Sequence, residues 1–108
     1  EKLAAHYLKG KGLEILEMNR NCPPHGEIDI IARNHGEIVF IEVKTAFKTN
    51  PDLLDEKVDH NKFKKISHAI YQYQKETEQI DDIRIDCVSV ILQKKKPIIK
   101  HFEGIRLE

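Results

Sequence analysis

The chain has 108 residues, 40% of them hydrophobic, and its 18 basic side chains balance 18 acidic ones. That length fits a single domain over residues 1–108, and the apolar fraction excludes a disordered tail. Balanced charge excludes a polycation that coats nucleic acid without selection, but not an enzyme whose acidic metal ligands offset basic contacts elsewhere.

Leu3, Ala4, Tyr7 and Leu8 recur at helical spacing until Gly10 and Gly12 break the pattern, which predicts a first helix ending near Lys9. Residues 13–19 alternate as a strand. Asn21 to Gly26, with Pro23 and Pro24, is a loop, because consecutive prolines do not serve a central strand. Residues 27–33 and 37–44 read as a hairpin about the Asn34-His35-Gly36 turn. The second arm is apolar on both faces until its end, which places it centrally in a sheet. Residues 45–60 are polar and irregular. Phe63, Ile66, Ile70 and Tyr73 mark one face of a helix over 61–77. Strands over 83–92 and 98–102 follow, separated by Lys94-Lys95-Lys96-Pro97. The order is α-β-β-β-α-β-β, a mixed sheet with helices on both faces or both on one.

The chemistry concentrates where the central strand ends. Ile38, Phe40, Glu42 and Lys44 share one face, so a carboxylate and an ammonium emerge side by side from an apolar strand. Burying either alone is costly, and burying the pair gains little; a functional site explains them better than a structural Glu42–Lys44 ion pair. Asp29 interrupts Ile28, Ile30 and Ile31 in the neighbouring arm, and the hairpin register sets it nearly opposite Glu42. Two carboxylates about 5 Å apart repel by roughly 3 kcal/mol at an effective dielectric near 20. A divalent cation and Lys44 would relieve that repulsion. Oxygen-only ligands favour Mg²⁺ or Mn²⁺ over Zn²⁺, and two carboxylates leave open positions for water and a phosphate, as phosphodiester hydrolysis needs. Lys44 would then orient or deprotonate the attacking water, or neutralise charge developing on phosphorus.

Asp29 followed by Glu42-Val43-Lys44 resembles the D…(D/E)xK signature of the PD-(D/E)xK nucleases, with Ile28 in place of the eponymous proline. The longer strings Gly26-Glu27-Ile28-Asp29-Ile30-Ile31-Ala32 and Val39-Phe40-Ile41-Glu42-Val43-Lys44-Thr45 resemble the YraN family more closely, a group of small bacterial proteins with a fold like archaeal Holliday-junction resolvases. The opening Glu1 to Leu8, Asn19, Lys62 and Asp86 match that family as well. The resemblance implies a restriction-endonuclease-like fold, with metal held by Asp29, Glu42 and the Val43 carbonyl and with Lys44 serving the water. A first-helix glutamate completes the site in resolvase relatives, and Glu1 is the matching position; it also shares a helical face with Ala4 and Leu8. Where the family usually has Arg after the Thr, this chain has Ala46, so phosphate binding would fall to another cation such as Lys48.

Other polar residues have plainer roles to set beside a functional one. Lys62 opens a helix, where the dipole disfavours a cation, which suggests a phosphate contact. Glu27 reads as a surface carboxylate at a strand start rather than a second ligand, and Asp86 as a structural hydrogen-bonding residue. Lys64 and Lys65 read as a solvated face, His25 as a loop surface residue, and Tyr71 and Tyr73 as packing residues. The six histidines lack metal-binding spacing. Cys22 and Cys87 have no CxxC pairing and are expected to be reduced. With no apolar run near the ~20 residues of a bilayer span and no visible secretory signal, the expected location is the cytoplasm, away from membranes.

The reading is an Mg²⁺- or Mn²⁺-dependent nuclease acting on DNA or a structured nucleic acid, with a homodimer expected if two strands are cut symmetrically. One alternative is a non-catalytic module on the same fold that binds nucleic acid or protein. Another, raised by a chain that starts at Glu1, is a nuclease toxin domain of a larger secreted protein, partnered by an immunity protein.

Overall fold

Helical and two-residue periodicities both survive folding in a computed structural model that describes residues 1–47 and 60–105. The elements are α1 (Lys2–Gly10), β1 (Glu14–Asn21), β2 (Glu27–Asn34), β3 (Glu37–Phe47), α2 (His60–Thr77), β4 (Asp82–Leu92) and β5 (Ile98–Phe102). This is the order read from the sequence. The sheet runs β1-β2-β3-β4-β5, with β3 in the middle. β1–β2, β2–β3 and β4–β5 are antiparallel, and β3–β4 is parallel. A parallel neighbour needs a crossover rather than a tight turn, and α2 lies within it.

Each helix covers its own face of the sheet. Ala4 and Leu8 of α1 pack with Ile30, Val39, Ile41, Val88 and Val90, whereas Ala69, Ile70 and Tyr73 of α2 pack with Ile31, Ile38 and Phe40. Of the two arrangements the sequence allowed, the one with helices on opposite faces is observed. β3 is therefore apolar on both sides, as a strand covered twice must be. Phe40 is buried and meets Tyr73 edge to face at 5.6 Å, and removing such a side chain from water contributes about 2–3 kcal/mol. Tyr73 thus packs as expected. Tyr71 does not: it is exposed, with the Lys75 ammonium 5.5 Å from its ring centre.

The sheet forks at one end. The β2–β3 ladder runs from Asn34↔Glu37 to Ile30↔Ile41 and stops there. Beyond it β2 stays with β1, through Arg20↔Ile28 and Asn21↔Glu27, while β3 stays with β4 as far as Phe47↔Leu92. That second pairing carries β3 three residues past the expected end at Lys44. Side-chain alternation slips at the fork, because Ile28 and Ile31 both join the α2-side core while Ile30 and Ala32 join the α1 side. Across from Asp29, between the pairs Met18↔Ile30 and Arg20↔Ile28, Asn19 has a left-handed φ of 54°, which asparagine tolerates better than most residues.

Candidate functional site

The parting strands leave backbone groups without ladder partners, and the first to be satisfied shapes the site. Val43 N–H donates to Asp29 Oδ2 at 2.8 Å, so a side chain takes over where the ladder stops. An extended residue offers its N–H and C=O from the same edge, so the Val43 carbonyl also leaves β3 on the β2 side. Asp29 thereby lines a cleft of about 360 Å³. Glu1 at the start of α1, His25 to Asp29 from the β1–β2 loop and β2, Phe40 to Val43 from β3, and Lys62, Lys65 and Ile66 from α2 line it.

Two acidic groupings occupy this cleft. One carboxylate oxygen from each of Glu1, Glu27 and Asp29 lies within 4.8 Å of the other two. Glu42, outside that trio, is only 9% exposed on the α2 side, and its Oε1 is 2.6 Å from the Lys62 ammonium. Its Oε2 is buried without a hydrogen-bond partner. The hydrogen bond to Glu42 raises the Lys62 ammonium above the usual lysine range against the effect of burial, and the charges of Glu42 and Asp29 add to the rise. Beside Glu42 in the parallel register stands Cys87, whose thiol burial pushes up. Lys44, half-buried on the Glu42 face, sits in register with Ser89.

Three carboxylates with no nitrogen or sulfur among them form a hard donor set. A buried carboxylate oxygen without a partner is rare in a folded protein, and the one on Glu42 lies in the same cleft. An all-oxygen donor set of this kind suits a hard cation such as Mg²⁺ or Mn²⁺ better than Zn²⁺.

The model of the uncharacterised protein family UPF0102 matches residues 1–90. The UPF0102 protein of Syntrophomonas wolfei is 36% identical over 102 residues, covering 94% of this chain and 88% of its own length. A UPF0102 protein of Caldanaerobacter subterraneus is 42% identical over 98 residues, covering 89% of this chain and 79% of its own. That of Thermotoga maritima is 38% identical over 107 residues, covering 99% and 93%. The chain belongs to the UPF0102 family. This is the YraN-like group to which the Gly26–Ala32 and Val39–Thr45 strings pointed.

In this UPF0102 chain Asp29 and Glu1 come together as the sequence suggested, and Val43 joins them through its backbone. Three residues carry more than the sequence suggested. Glu27 is an exposed carboxylate at the start of β2, as read, and it also stands in the acidic trio, because β2 leaves β3 at the fork and turns Glu27 and Asp29 into one opening. The sequence sets a divalent cation and Lys44 against the Asp29–Glu42 charge; the structure adds Lys62, which pairs directly with Glu42 because α2 crosses the face on which Glu42 lies. Lys62, expected on a phosphate, is therefore engaged on the carboxylate. Lys48 lies outside the described residues.

Lys65 and His25, read as a solvated-face and a loop-surface residue, both line the cleft. Lys65 lines the cleft with its Cε 3.6 Å from where a Cβ on Gly26 would stand, and the His25 ring meets His68 of α2 edge to face at 5.1 Å. The only available signal was the i, i+3 spacing of Lys62, Lys65 and His68, which stacks them along one helix face. Asp86 is structural, as expected: fully buried on the opposite face of the sheet, it is bonded to Arg84, His101 and Gly104. No helix among the described residues is long and apolar enough to cross a membrane.

Proposed function

We propose that this protein is a metal-dependent nuclease that hydrolyses phosphodiester bonds of DNA or a structured nucleic acid. The observation that carries this reading is a single cleft containing the Glu1–Glu27–Asp29 trio together with a buried, unpartnered oxygen of Glu42. A buried polar atom left unsatisfied costs stability, and a site that needs a cation explains that cost. Mg²⁺ or Mn²⁺ bound there would polarise a phosphoryl oxygen and acidify a water.

The chain's own groups divide the remaining work. Asp29, fixed by the Val43 N–H, keeps its second oxygen for the cation, with Glu1, Glu27, Glu42 and the Val43 carbonyl as the other donors. Lys44, on the face of Glu42, would orient the water or offset charge developing on phosphorus. Lys65 gives the α2 wall positive charge that helps a polyanion enter an acidic cleft. Two free, buried cysteines suit the reducing cytoplasm, where we place the protein.

A panel of linear, nicked, flap and four-way-junction substrates, each with Mg²⁺, Mn²⁺ or EDTA, tests the reading. We expect metal-dependent cleavage of at least one substrate. One observation favours a second reading: the Lys62–Glu42 pair neutralises Glu42 without any metal, as a non-catalytic nucleic-acid or protein binding module would require. Binding to the panel without cleavage in any metal would establish that reading instead.

A further inference from the structure

Glu42 presents two oxygens in different situations. Oε1 is 2.6 Å from the Lys62 ammonium, while Oε2 is enclosed with no partner. The carboxylate is 9% exposed, whereas Lys62 is 51% exposed and rises from the cleft wall on a flexible four-carbon stem. A carboxylate enclosed to that degree needs a positive neighbour, and Lys62 provides it. The need disappears when a cation of higher charge sits against the other oxygen. That cation would also repel the ammonium across a few ångströms of poorly screened space. Lys62 can leave without burying anything, because half of it is already in solvent.

We propose that Lys62 is the resident counter-ion of Glu42 and changes partner when a divalent cation enters, giving up the carboxylate for a phosphate oxygen of the nucleic acid. This rests on the metal-dependent reading above and adds an order of events to it. Without metal, Lys62 is withheld from the substrate and the acidic cleft repels a polyanion. With metal, the charge that held Glu42 is returned to the substrate side. Metal and nucleic acid therefore strengthen each other's binding, and the coupling is reciprocal. Lys65 provides the contrast: it lines the same wall, and among the described residues no carboxylate pairs with it, so it faces the substrate whether or not metal is bound.

Fluorescence anisotropy on a labelled duplex and a four-way junction provides the test. Affinity is measured across a salt series for the wild type, Lys62→Met and Lys65→Met, in EDTA and in Mn²⁺, on ice and over times for which the probe stays intact. In EDTA, Lys62→Met and the wild type should share one salt slope. In Mn²⁺ the wild type should be steeper by about one unit, the signature of one added phosphate contact, and should bind several-fold more tightly than the variant. Lys65→Met should change the slope equally in both conditions. Calorimetry with Mn²⁺ alone should show several-fold tighter binding to Lys62→Met, which has lost the competing cation. Lys62→Gln, whose amide still donates to Oε1 without a charge, repeats each comparison if methionine leaves the fold unstable.

A Lys62 effect that is equal in EDTA and Mn²⁺, or absent from both, overturns the exchange. If Mn²⁺ binds with that flat pattern, the exchange alone fails and the metal site stands. If Mn²⁺ binds none of the proteins, the metal-dependent reading falls and the exchange falls with it.

Discussion

Asp86→Asn should destabilise the fold severely and leave the cleft unchanged. Asp86 is 0% exposed in the central region of the sheet and accepts from Arg84 Nε at 2.8 Å, Arg84 Nη2 at 2.9 Å, His101 Nε2 at 2.7 Å and the Gly104 N–H at 2.9 Å. Asparagine offers one acceptor oxygen to these four donors and turns an NH₂ group toward some of them. Arg84 retains Glu37 at 3.3 Å and Glu103 at 3.2 Å, so its charge is not abandoned. His101 has no such fallback, because its Nδ1 is already buried without a partner. Breaking one side of a buried pair typically costs 3–5 kcal/mol, and the surviving Arg84 contacts argue for the lower end, about 3 kcal/mol. With an unfolding entropy near 2.1 cal/mol/K per residue, that corresponds to a fall in Tm of about 13 °C.

The same residue sets a pH dependence. Burial alone would push the Asp86 carboxyl up, but the hydrogen bonds from His101, Arg84 and Gly104 outweigh it and hold the group below the usual aspartate range. A folded-state value below the unfolded one contributes stability that is fully present above the ordinary aspartate pKa of about 3.9 and lost as pH falls through the folded value. The wild type should therefore lose an increment of stability below about pH 4 that Asp86→Asn lacks. Thermal melts followed by circular dichroism between pH 3 and 7 measure both effects, and calorimetry with Mn²⁺ on the folded variant should match the wild type. A fall in Tm under about 4 °C, or loss of Mn²⁺ binding by a folded variant, would refute the structural assignment.

Three further perturbations act on the cleft. Asp29→Asn keeps an oxygen for the Val43 N–H and should fold, yet weaken Mn²⁺ binding by an order of magnitude or more in calorimetry; unchanged binding would remove Asp29 from the site. Lys44→Ala should bind nucleic acid almost as the wild type does and cut on the order of 10²- to 10³-fold more slowly, the usual cost of losing a group that acts on charge developing in the transition state. Weaker binding at an unchanged cleavage rate would make Lys44 a phosphate contact instead. Glu42→Ala should leave the metal-free Tm unchanged or raise it, because it removes an enclosed carboxylate with one unsatisfied oxygen and releases a lysine already half in solvent; a fall of more than about 5 °C would mean that the ion pair is structural.

Most of the fold was legible because single residues spoke for whole elements. Phe63, Ile66, Ile70 and Tyr73 mark α2 within a residue of its ends, and the unbroken apolar run before Glu42 marks a strand covered on both faces. Asp29 and Glu42 stood out for the opposite reason, as charges where apolar residues were due. What stayed hidden depends on where strands separate. Nothing in the residues around Ile30 says that the β2–β3 ladder ends there, so Glu27 looked like an ordinary strand-start carboxylate. Lys62 is 20 positions from Glu42, across a stretch of polar sequence, and no local period links a helix residue to the strand it crosses. Helix pitch and strand alternation describe neighbours along one element, whereas the ion pair is set by how two elements cross.

Asp86 and Glu42 together show how a structural charge differs from a functional one on the same sheet. They occupy adjacent levels of the parallel β3–β4 ladder, at Ile41↔Asp86 and Glu42↔Cys87, and face opposite sides. Both are carboxylates among apolar neighbours, and both bear the desolvation cost of that position. Asp86 has both oxygens engaged, by Arg84, His101 and a backbone N–H, so its network is closed and leaves it no room for a ligand. Glu42 has one oxygen on a lysine that is half in solvent and the other without a partner, in a cleft that three more carboxylates also line. If stability alone had shaped both positions, the open oxygen should have acquired a donor or the carboxylate should have been replaced by an apolar residue, a change that is often neutral or favourable. Replacing each carboxylate by alanine should therefore move the melting temperature in different directions, down for Asp86 and level or up for Glu42. A parallel fall in both variants would mean that the charge on Glu42 belongs to the fold, and that the case for a cation in this cleft must rest on Glu1, Glu27 and Asp29 alone.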